Sequence, residues 1–435
     1  MERRIRVLII VLVIGFSSFA AVADEAAVSD LELEATVREV LRQVPLIDGH
    51  NDAPWAIRDR VSNHLADFDF TSTKALEKPM HTDIERLRSG GVGGQFWSVW
   101  VPVDLDGGDA VVTVLEQIDL VRRLTEAYPD DFELALTADD VTRIHAEGRI
   151  ASLIGVEGGH SIDNSLAVLR QLYNLGARYM TLTHWANTDW VDAATDTPEH
   201  DGLSPFGEVV VKEMNRLGML VDLSHVSAAT MHDVLDLSRA PVIFSHSCVL
   251  ALNSHPRNVP DDVLRRVADK DGIVMINFGS YFVDQKITER YAAYKAEEVR
   301  LETLNPGDPQ AVKDGMKVWL DKNPLWIVPL GELADHFDHV REIAGVDHVG
   351  IGSDFDGIGA LPKGMEDVSG YPALLVELMR RGWSREDVAK VAGLNILRVM
   401  REVEAVAAEL QKTETPFEVR FDDNGYGAHE EAAGH

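Results

Sequence analysis

The chain has 435 residues and carries 72 acidic against 41 basic side chains, which gives a formal net charge of −31. Such an acidic excess argues against binding to nucleic acid and against docking on anionic lipid. The single cysteine, Cys248, excludes a framework of intrachain disulfides, but a chain of this length can bury a large core without one. Because Cys248 follows an apolar run, we interpret it as a buried thiol.

The first 23 residues have the order of a signal peptide. Basic side chains at positions 3, 4 and 6 precede an apolar run over 7–16, and the small residues Ala21 and Ala23 then flank Val22. This order predicts a signal peptide over 1–23, cleavage near Ala23 and an exported protein, periplasmic or secreted, without a stable membrane anchor. An uncleaved N-terminal anchor is the alternative, but the apolar run is short for a membrane span.

The rest of the chain alternates between short β-type runs and helical segments. Apolar residues at helical spacing between about 24 and 44 predict a lead-in helix. Eight β-type runs follow, at 44–48, 94–100, 151–156, 178–183, 219–224, 241–245, 272–278 and 348–353. Alternation with helices indicates parallel strands, and the count of eight favours a closed (β/α)8 TIM barrel, an α/β fold, over an open doubly wound sheet. We predict that this domain covers 24–412.

Two stretches depart from short barrel loops. Residues 284–328 are charged and partly helical, which predicts an insertion after the seventh strand, either a lid or a decoration of the rim. Residues 413–435 are acidic, rich in Gly and Ala and poor in aliphatic side chains, which predicts a disordered tail. His429 and His435 lie in this tail, so we do not expect them to bind metal.

Side chains that bind metal or transfer protons follow five of the β-type runs. They are His50 and Asp52 after the first run, Glu157 after the third, His225 after the fifth, His246 after the sixth and Asp354 after the eighth. The carboxyl ends of barrel strands converge on one face, where residues distant in sequence meet. A lone His-x-Asp motif is weak evidence, because a capping Asp beside a hydrogen-bonded His gives the same pattern. Metal-competent side chains at four strand ends together favour a metal site.

Imidazoles and carboxylates without thiolates suit divalent metals. Since a carboxylate has two oxygens and a neutral imidazole cannot bridge, Glu157 is the predicted bridge between two cations. One site then contains His50, Asp52 and Glu157, and the other contains Glu157, His225 and His246. Two such cations bind a water between them and lower its pKa, so that a bridging hydroxide forms near neutral pH. We predict two Zn2+ per subunit, with Mn2+ or Co2+ as alternatives, and therefore a metallohydrolase.

Seven short motifs together resemble the membrane (renal-type) dipeptidase family, a branch of the amidohydrolase superfamily. They are Gly49-His50-Asn51-Asp52, Gly94-Gln95-Phe96-Trp97-Ser98, Gly155-Val156-Glu157-Gly158, Leu182-Thr183-His184, Val221-Asp222-Leu223-Ser224-His225, His255-Pro256-Arg257-Asn258 and Gly352-Ser353-Asp354-Phe355-Asp356-Gly357. The resemblance runs from about 46 to 400, and 284–328 is its main departure. Most barrel amidohydrolases carry His-x-His at the first strand, whereas this chain has His-x-Asp there and Glu157 at the third strand, as the dipeptidases do.

The resemblance implies a zinc-dependent exopeptidase that hydrolyses dipeptides, tolerates D-residues at the C-terminal position and, in some members, opens β-lactam or dehydropeptide bonds. The same metal ligands carry over. His184 resembles the family's histidine that faces the scissile carbonyl and stabilises the oxyanion, and Asp354 the carboxylate that passes a proton from the water to the leaving amine. Arg257 resembles the clamp for the substrate carboxylate, because a guanidinium holds a carboxylate by two hydrogen bonds. Together with His184 and Asp354, Arg257 and Tyr281 are the predicted substrate-binding residues, and Trp55 is a further candidate for the pocket.

Alternatives exist for single residues and for the chain. His184 alone fits a buried core histidine, Arg257 alone fits a surface ion pair, and Asp356 competes with Asp354 for proton transfer. The chain as a whole also fits another binuclear amidohydrolase that acts on N-acyl amino acids, β-lactams or lactones, or a binding protein on a retained barrel. Mammalian members of the family carry cysteines for disulfides, which this chain lacks, and end in a lipid-anchor signal, whereas the tail of this chain is polar, so we expect no glycolipid anchor. We therefore expect no covalent dimer, although a noncovalent homodimer is common in the family.

Overall fold

The computed structural model describes residues 29–105 and 107–422. The predicted signal peptide over 1–23, His429 and His435 lie outside the described residues. Among the residues that are described, no helix combines the length and the apolar character needed to span a membrane.

Eight parallel strands close into a barrel. The described residues contain nine strands, of which all but β3 belong to the barrel. In chain order they are β1 (Leu46–Asn51), β2 (Val92–Trp100), β3 (Phe132–Leu134), β4 (Ile150–Glu157), β5 (Ala177–Thr181), β6 (Leu220–Asp222), β7 (Ile243–Phe244), β8 (Ile273–Ile276) and β9 (Val349–Ile351). They pair in the order β2-β1-β9-β8-β7-β6-β5-β4, and β4 pairs with β2 to complete the ring. Each predicted run overlaps one strand of this ring, and the predicted (β/α)8 barrel is confirmed.

The strand β3 lies outside the ring and is absent from the sequence prediction. It pairs with the first residues of β4, whereas the later residues of β4 pair with β5. A run of three residues is too short to show the alternation of apolar and polar side chains from which a strand is predicted.

Helices form the outer layer of the barrel. They are α1 (Asp30–Gln43), α2 (Ala53–Val61), α3 (Ile84–Ser89), α4 (Gly107–Ala127), α5 (Ala138–Ala146), α6 (Leu166–Asn174), α7 (Pro205–Leu217), α8 (Ala228–Leu237), α9 (Asp261–Asp269), α10 (Ser280–Val283), α11 (Gln285–Leu304), α12 (Pro309–Lys322), α13 (Leu330–Ile343), α14 (Tyr371–Arg380), α15 (Arg385–Ala389) and α16 (Asn395–Leu410). The predicted lead-in helix is α1, which begins at a capping box between Ser29 and Glu32. Its apolar face packs against α14 and α15.

The interior of the barrel is packed rather than open. Ile47, Phe96, Leu153 and Tyr179 are fully buried in one apolar cluster. The ring of Tyr179 lies over Gly155 on the neighbouring strand, where an added Cβ would lie 2.0 Å from its Cζ. Gly155 is therefore required for the tyrosine to reach the carboxyl ends of the strands, where the functional side chains lie.

The predicted insertion after the seventh strand of the ring is confirmed and contains two helices. These helices, α11 and α12, pack on each other, with the rings of Tyr294 and Trp319 5.8 Å apart. No residue of 284–328 is among those that line the cavity described below. In this structure the insertion therefore contributes no side chain to the wall of that cavity.

The first part of the predicted tail differs from the expectation of disorder. Within 413–422, Glu414 pairs with Arg239, and Phe417, Val419 and Phe421 pack against the main apolar cluster. Alternate residues of this extended segment face the protein, so it buries more apolar surface than its overall composition indicates. The acidic composition of 413–435 as a whole concealed this short alternation.

Candidate metal centre

The side chains predicted to bind metal meet at the carboxyl ends of the barrel strands. His50 lies on β1, Asp52 precedes α2 directly, and Glu157 is the last residue of β4. His225 and His246 follow β6 and β7. All five side chains are buried, and His225 has a positive φ of 75°. A non-glycine residue in this left-handed region costs about 1–3 kcal/mol, which the surrounding structure must offset.

Glu157 lies at the centre of the cluster. Its Oε1 is 3.0 Å from His225 Nε2 and 3.5 Å from His246 Nε2. Its Oε2 is 3.4 Å from His50 Nε2, which lies at the same distance from Asp52 Oδ2. The two oxygens of Glu157 therefore face two different sets of donors. The sets are close together, since the rings of His50 and His246 are 3.8 Å apart.

The cluster has the properties of a cation site. The Nε2 atoms of His225 and His246 approach to 2.9 Å, which two lone pairs tolerate only with a proton or a cation between them. His50 Nε2 is buried and has no hydrogen-bond partner in the described part of the chain. Three compact groups of metal-competent donors occur here: His50, Glu157 and His246; Glu157, His184 and His225; and His50, Asp52 and Asp354. Imidazole and carboxylate donors at these distances fit divalent metals.

The pKa values of the cluster also indicate an attraction for positive charge. Burial opposes a charge on His50, but the nearby Tyr179, Glu157 and Asp52 raise the pKa of its imidazole well above the usual value. Burial lowers the pKa of His225 and His246 well below the usual value, so both rings are neutral. Neutral imidazole is the form that binds metal. Positive charge is therefore favoured on the His50 side, while the other two rings are neutral and each has one nitrogen with a lone pair.

Hydrogen bonds from the barrel wall orient the central donors. Tyr179 Oη is 2.8 Å from His50 Nδ1, which leaves Nε2 of that ring to face the cluster. Ser98 Oγ donates to Glu157 Oε2 at 3.1 Å. Burial alone would raise the pKa of Glu157, but the surrounding imidazoles hold it well below the usual range. Glu157 is thus an ionised carboxylate, as a bridging ligand must be.

Asp354 lies beside the cluster at the end of β9. Its φ is 66°, and its Oδ2 accepts a hydrogen bond of 2.8 Å from Asn277 Nδ2. Burial raises the pKa of Asp354 well above the usual range, and the carboxylates of Asp52 and Glu157 add to this shift. A raised pKa makes the carboxyl group of Asp354 hold a proton more readily than an exposed aspartate does, and general acid–base catalysis uses carboxyl groups with raised pKa values.

His184 lies after β5, with its Nε2 3.7 Å from Glu157 Oε1. The indole Nε1 of Trp100 donates to His184 Nδ1 at 3.2 Å. Burial lowers the pKa of His184 to about 4, so the ring is neutral. A neutral ring that accepts at Nδ1 carries its proton on Nε2. His184 therefore presents an N–H donor to the cavity, rather than lying as a satisfied core histidine.

Arg257 is buried without an ionic partner. Only 2% of the residue is exposed, and its two hydrogen bonds, to Ser247 Oγ and His246 O, are long at 3.4 Å each. Its Nε has no partner, and no ion pair links it to a carboxylate within 29–105 and 107–422. Burial lowers the pKa of Arg257 to about 10, which still leaves it charged. The alternative of a surface ion pair does not hold, and the guanidinium is available to an anion that enters the cavity.

A cavity of about 280 Å³ is lined by Asp52, Glu157, His184, His225, His246, Arg257 and Asp354. Aromatic side chains that the sequence analysis did not assign to the site form much of its wall, namely Trp100, Trp185 and Phe282, whereas Trp55 lies there as anticipated. The prediction for Tyr281 differs from the structure, because Tyr281 is not in this wall and its ring packs on His255 at 4.7 Å. Tyr281 and Phe282 both lie on the short helix α10, where neighbouring side chains point in directions about 100° apart. Phe282 faces the cavity, with Arg257 Cζ 5.5 Å from its ring centre.

Comparisons with known proteins agree with this geometry. The sequence profile of the membrane dipeptidase family (peptidase family M19) matches residues 34–414. Dipeptidase 3 of Rattus norvegicus is 41% identical over 398 residues, which cover 90% of this chain and 72% of that protein. Dipeptidase 3 of Mus musculus is 40% identical over 398 residues, which cover 90% of this chain and 71% of that protein.

Solved structures share the fold. The probable dipeptidase PvdM from Pseudomonas aeruginosa has a TM-score of 0.73 at 23% identity, covering 87% of this chain and 100% of that one. A metallo peptidase from Rhodobacter sphaeroides, liganded with a phosphinate mimic of the dipeptide L-Ala-D-Ala, has a TM-score of 0.69 at 24% identity, covering 83% of this chain and 99% of that one. The family profile spans nearly all of the described residues, and the rat relative shares 41% of its aligned sequence. This chain therefore belongs to the membrane dipeptidase family and is a metallo-dipeptidase.

Proposed function

We propose that this metallo-dipeptidase is a zinc exopeptidase that hydrolyses free dipeptides with two cations per subunit. His50, Asp52 and Glu157 would hold one cation, and Glu157, His225 and His246 the other. The observation that carries this proposal is the position of Glu157, whose two oxygens face two separate sets of buried donors. When bound, the cations polarise the scissile carbonyl and lower the pKa of a water molecule toward neutrality.

The residues around the cluster have separate roles in substrate binding, oxyanion stabilisation and proton transfer. Arg257 binds the free carboxylate of the C-terminal residue, because it is a buried cation without an internal partner. His184 donates its Nε2 proton to the oxygen on which negative charge develops. Asp354 takes a proton at its carboxylate and delivers it to the leaving amine.

The size of the cavity supports a short substrate. A volume of about 280 Å³ lies just below the usual range for small-ligand sites, which is about 300–1,000 Å³. A C-terminal carboxylate bound at Arg257 places the preceding amide close to the metal cluster, since Arg257 contacts the backbone of His246. The proposal includes tolerance of a D-residue at the C-terminal position, as the family resemblance implies.

Metal removal and reconstitution test the proposal. Protein treated with a strong chelator should lose hydrolysis of dipeptides, and about two equivalents of Zn2+ should restore it. The substrate panel should contain L-L and L-D dipeptides, an N-acyl amino acid, a β-lactam and a lactone. The zinc-loaded protein should cleave dipeptides, and some with a C-terminal D-residue. If it cleaved none of them but hydrolysed the acyl, lactam or lactone compounds, the proposal would be replaced by that activity.

A further inference from the structure

Two buried aspartates occupy similar positions near the ends of their strands. Asp48 lies on β1 and Asp222 on β6, and both are fully buried. Each carboxylate accepts two hydrogen bonds from one serine at the end of a neighbouring strand. Asp48 accepts from the backbone N–H and the hydroxyl of Ser353, both at 2.7 Å. Asp222 accepts from the backbone N–H of Ser245 at 2.9 Å and from its hydroxyl at 2.5 Å.

The two serines differ in the other contacts that their hydroxyl groups make. Ser245 Oγ is 2.8 Å from Nδ1 of His246, one of the proposed metal ligands. Ser353 Oγ instead lies 3.2 Å from the hydroxyl of Tyr371 and 3.3 Å from the backbone oxygen of His50. Only one of the two Asp–Ser pairs therefore reaches an imidazole of the cluster.

The direction of these hydrogen bonds follows from the number of available protons. Asp222 also accepts from the backbone N–H of Ser224 at 3.0 Å, so three donors converge on a carboxylate. The single proton of the Ser245 hydroxyl is used in the bond to Asp222. Ser245 Oγ must then accept from His246 Nδ1–H, which leaves the lone pair of His246 Nε2 directed at the cluster. Charge-assisted bonds of this length between a hydroxyl and a carboxylate are among the stronger ones in proteins.

We propose that Asp222 and Ser245 are positioning residues of the metal centre, acting on the cation held by His225 and His246. The carboxylate polarises the serine hydroxyl, the hydroxyl fixes the tautomer of His246, and the ring becomes a stronger ligand. This inference rests on the proposed function. It extends that function by assigning a role to a buried acid for which no ion pair exists among the described residues.

The matched substitutions Ser245→Ala and Ser353→Ala test the inference. Each removes one hydroxyl that a buried aspartate accepts, but only the first removes the contact with an imidazole. Zinc affinity should be measured for both variants and the unaltered protein by titration against a competing chelator. In Ser245→Ala, one of the two equivalents should bind about 10–100-fold more weakly, while Ser353→Ala should retain both affinities. With Co2+ as the probe, the visible absorption should change only in Ser245→Ala.

Thermal unfolding of the metal-free variants separates positioning from loss of structure. Ser353 Oγ has more hydrogen-bond partners than Ser245 Oγ, so Ser353→Ala should unfold at a temperature no higher than that of Ser245→Ala, and weaker zinc binding in Ser245→Ala alone cannot then come from lost stability. Asp222→Asn should reproduce the zinc affinity of Ser245→Ala. Equal zinc binding by Ser245→Ala and Ser353→Ala would overturn the inference and leave the proposed function intact. If the unaltered protein bound no zinc at all, the proposed function itself would fail.

Discussion

Arg257 and His184 show how the protein prepares single side chains before a substrate arrives. A buried guanidinium without a carboxylate partner carries a desolvation cost of several kcal/mol, which an entering anion can offset. His184 is held as a neutral donor by one indole hydrogen bond and by burial. Arg257 therefore carries a buried charge, unpaired within the described chain, and His184 is a neutral N–H donor. Each of these two properties can be tested by a substitution that removes or alters it.

The first prediction concerns the clamp. Arg257→Lys keeps the charge but loses the two-point contact, so kcat/KM for a dipeptide should fall about 10–100-fold, the value of one charge-assisted hydrogen bond. Arg257→Ala should lose more. The control is the same dipeptide with a C-terminal amide, which offers no carboxylate and should be hydrolysed slowly by all three proteins at similar rates. An equal loss on the acid and the amide would contradict the clamp and favour a different amidohydrolase.

The second prediction concerns the tautomer of His184. His184→Ala should lower kcat about 10²–10³-fold, which is the usual effect of removing one oxyanion donor. Trp100→Phe should lower kcat by a smaller factor with little change in KM, since it removes only the bond that holds the proton on Nε2. Trp55→Phe is the matched control, because Trp55 lines the same cavity without a hydrogen bond to the cluster. A kcat for Trp100→Phe equal to that of the control would contradict this role.

The sequence was enough to predict which side chains lie at the strand ends. It was not enough to predict what surrounds those side chains. His50, Asp52, Glu157, His225 and His246 were found because a barrel fold brings all strand ends to one face. Trp100, Trp185 and Phe282 were missed because an aromatic residue in an apolar run is indistinguishable from a core residue. The positive φ values of His225 and Asp354 depend on tertiary contacts and leave no local signal.

The helices and loops outside the barrel hold the site loops in place. The helix α13 contributes His336, a fully buried imidazole that joins two loops of the catalytic face. Its Nδ1 accepts from the N–H of Val249 at 3.1 Å, and its Nε2 donates to the backbone oxygen of Val283 at 3.0 Å. Val249 follows the metal-ligand segment after β7, and Val283 ends the helix α10 that carries Phe282. A charged ring could not accept from Val249, so these bonds require the neutral form.

The third prediction is a dependence of stability on pH. Burial lowers the pKa of His336 to about 4, below the unfolded value of about 6.5. The stabilisation from this group is complete above pH 6.5 and is lost as the pH falls through 4. Linkage gives a loss of about 3 kcal/mol over this window. His336→Gln should therefore have a free energy of unfolding that falls less steeply between pH 7 and 4 than in the unaltered protein.

The measurement is urea unfolding at a series of pH values with excess chelator, so that metal binding does not contribute. His64→Gln, which removes an exposed imidazole, is the control and should keep the pH dependence of the unaltered protein. Parallel curves for His336→Gln and the unaltered protein would show that His336 does not contribute to acid destabilisation.

The two ends of the described chain pack on different helices of the outer layer. At one end, α1, the helix that the spacing of apolar residues predicted, packs against α14 and α15. At the other end, the segment 413–422 lies against α6 and α7, where Phe417 N–H donates to Glu213 at 3.4 Å and Arg170 donates to the oxygen of Phe417. The composition of the tail gave no indication of this contact, but the sequence Phe417-Glu418-Val419-Arg420-Phe421 has the alternation of an extended, half-buried segment. The alternation is visible over these five residues, but it is not visible in the average composition of the whole tail.

The last prediction tests whether this segment stabilises the protein. Replacing Phe417, Val419 and Phe421 with serine removes the side chains that pack on the core, including the ring of Phe421, which lies 5.2 Å from that of Phe206. Since these side chains are only partly buried, the free energy of unfolding should fall by roughly 2–4 kcal/mol, less than full burial of three large residues would give. The matched control replaces the exposed Thr415 and Glu418 with serine and should leave the melting temperature unchanged. Hydrolysis of a dipeptide at 25 °C should be the same in both variants, because none of these residues lines the cavity. Equal melting temperatures for the two variants would mean that packing of this segment on the core does not stabilise the protein.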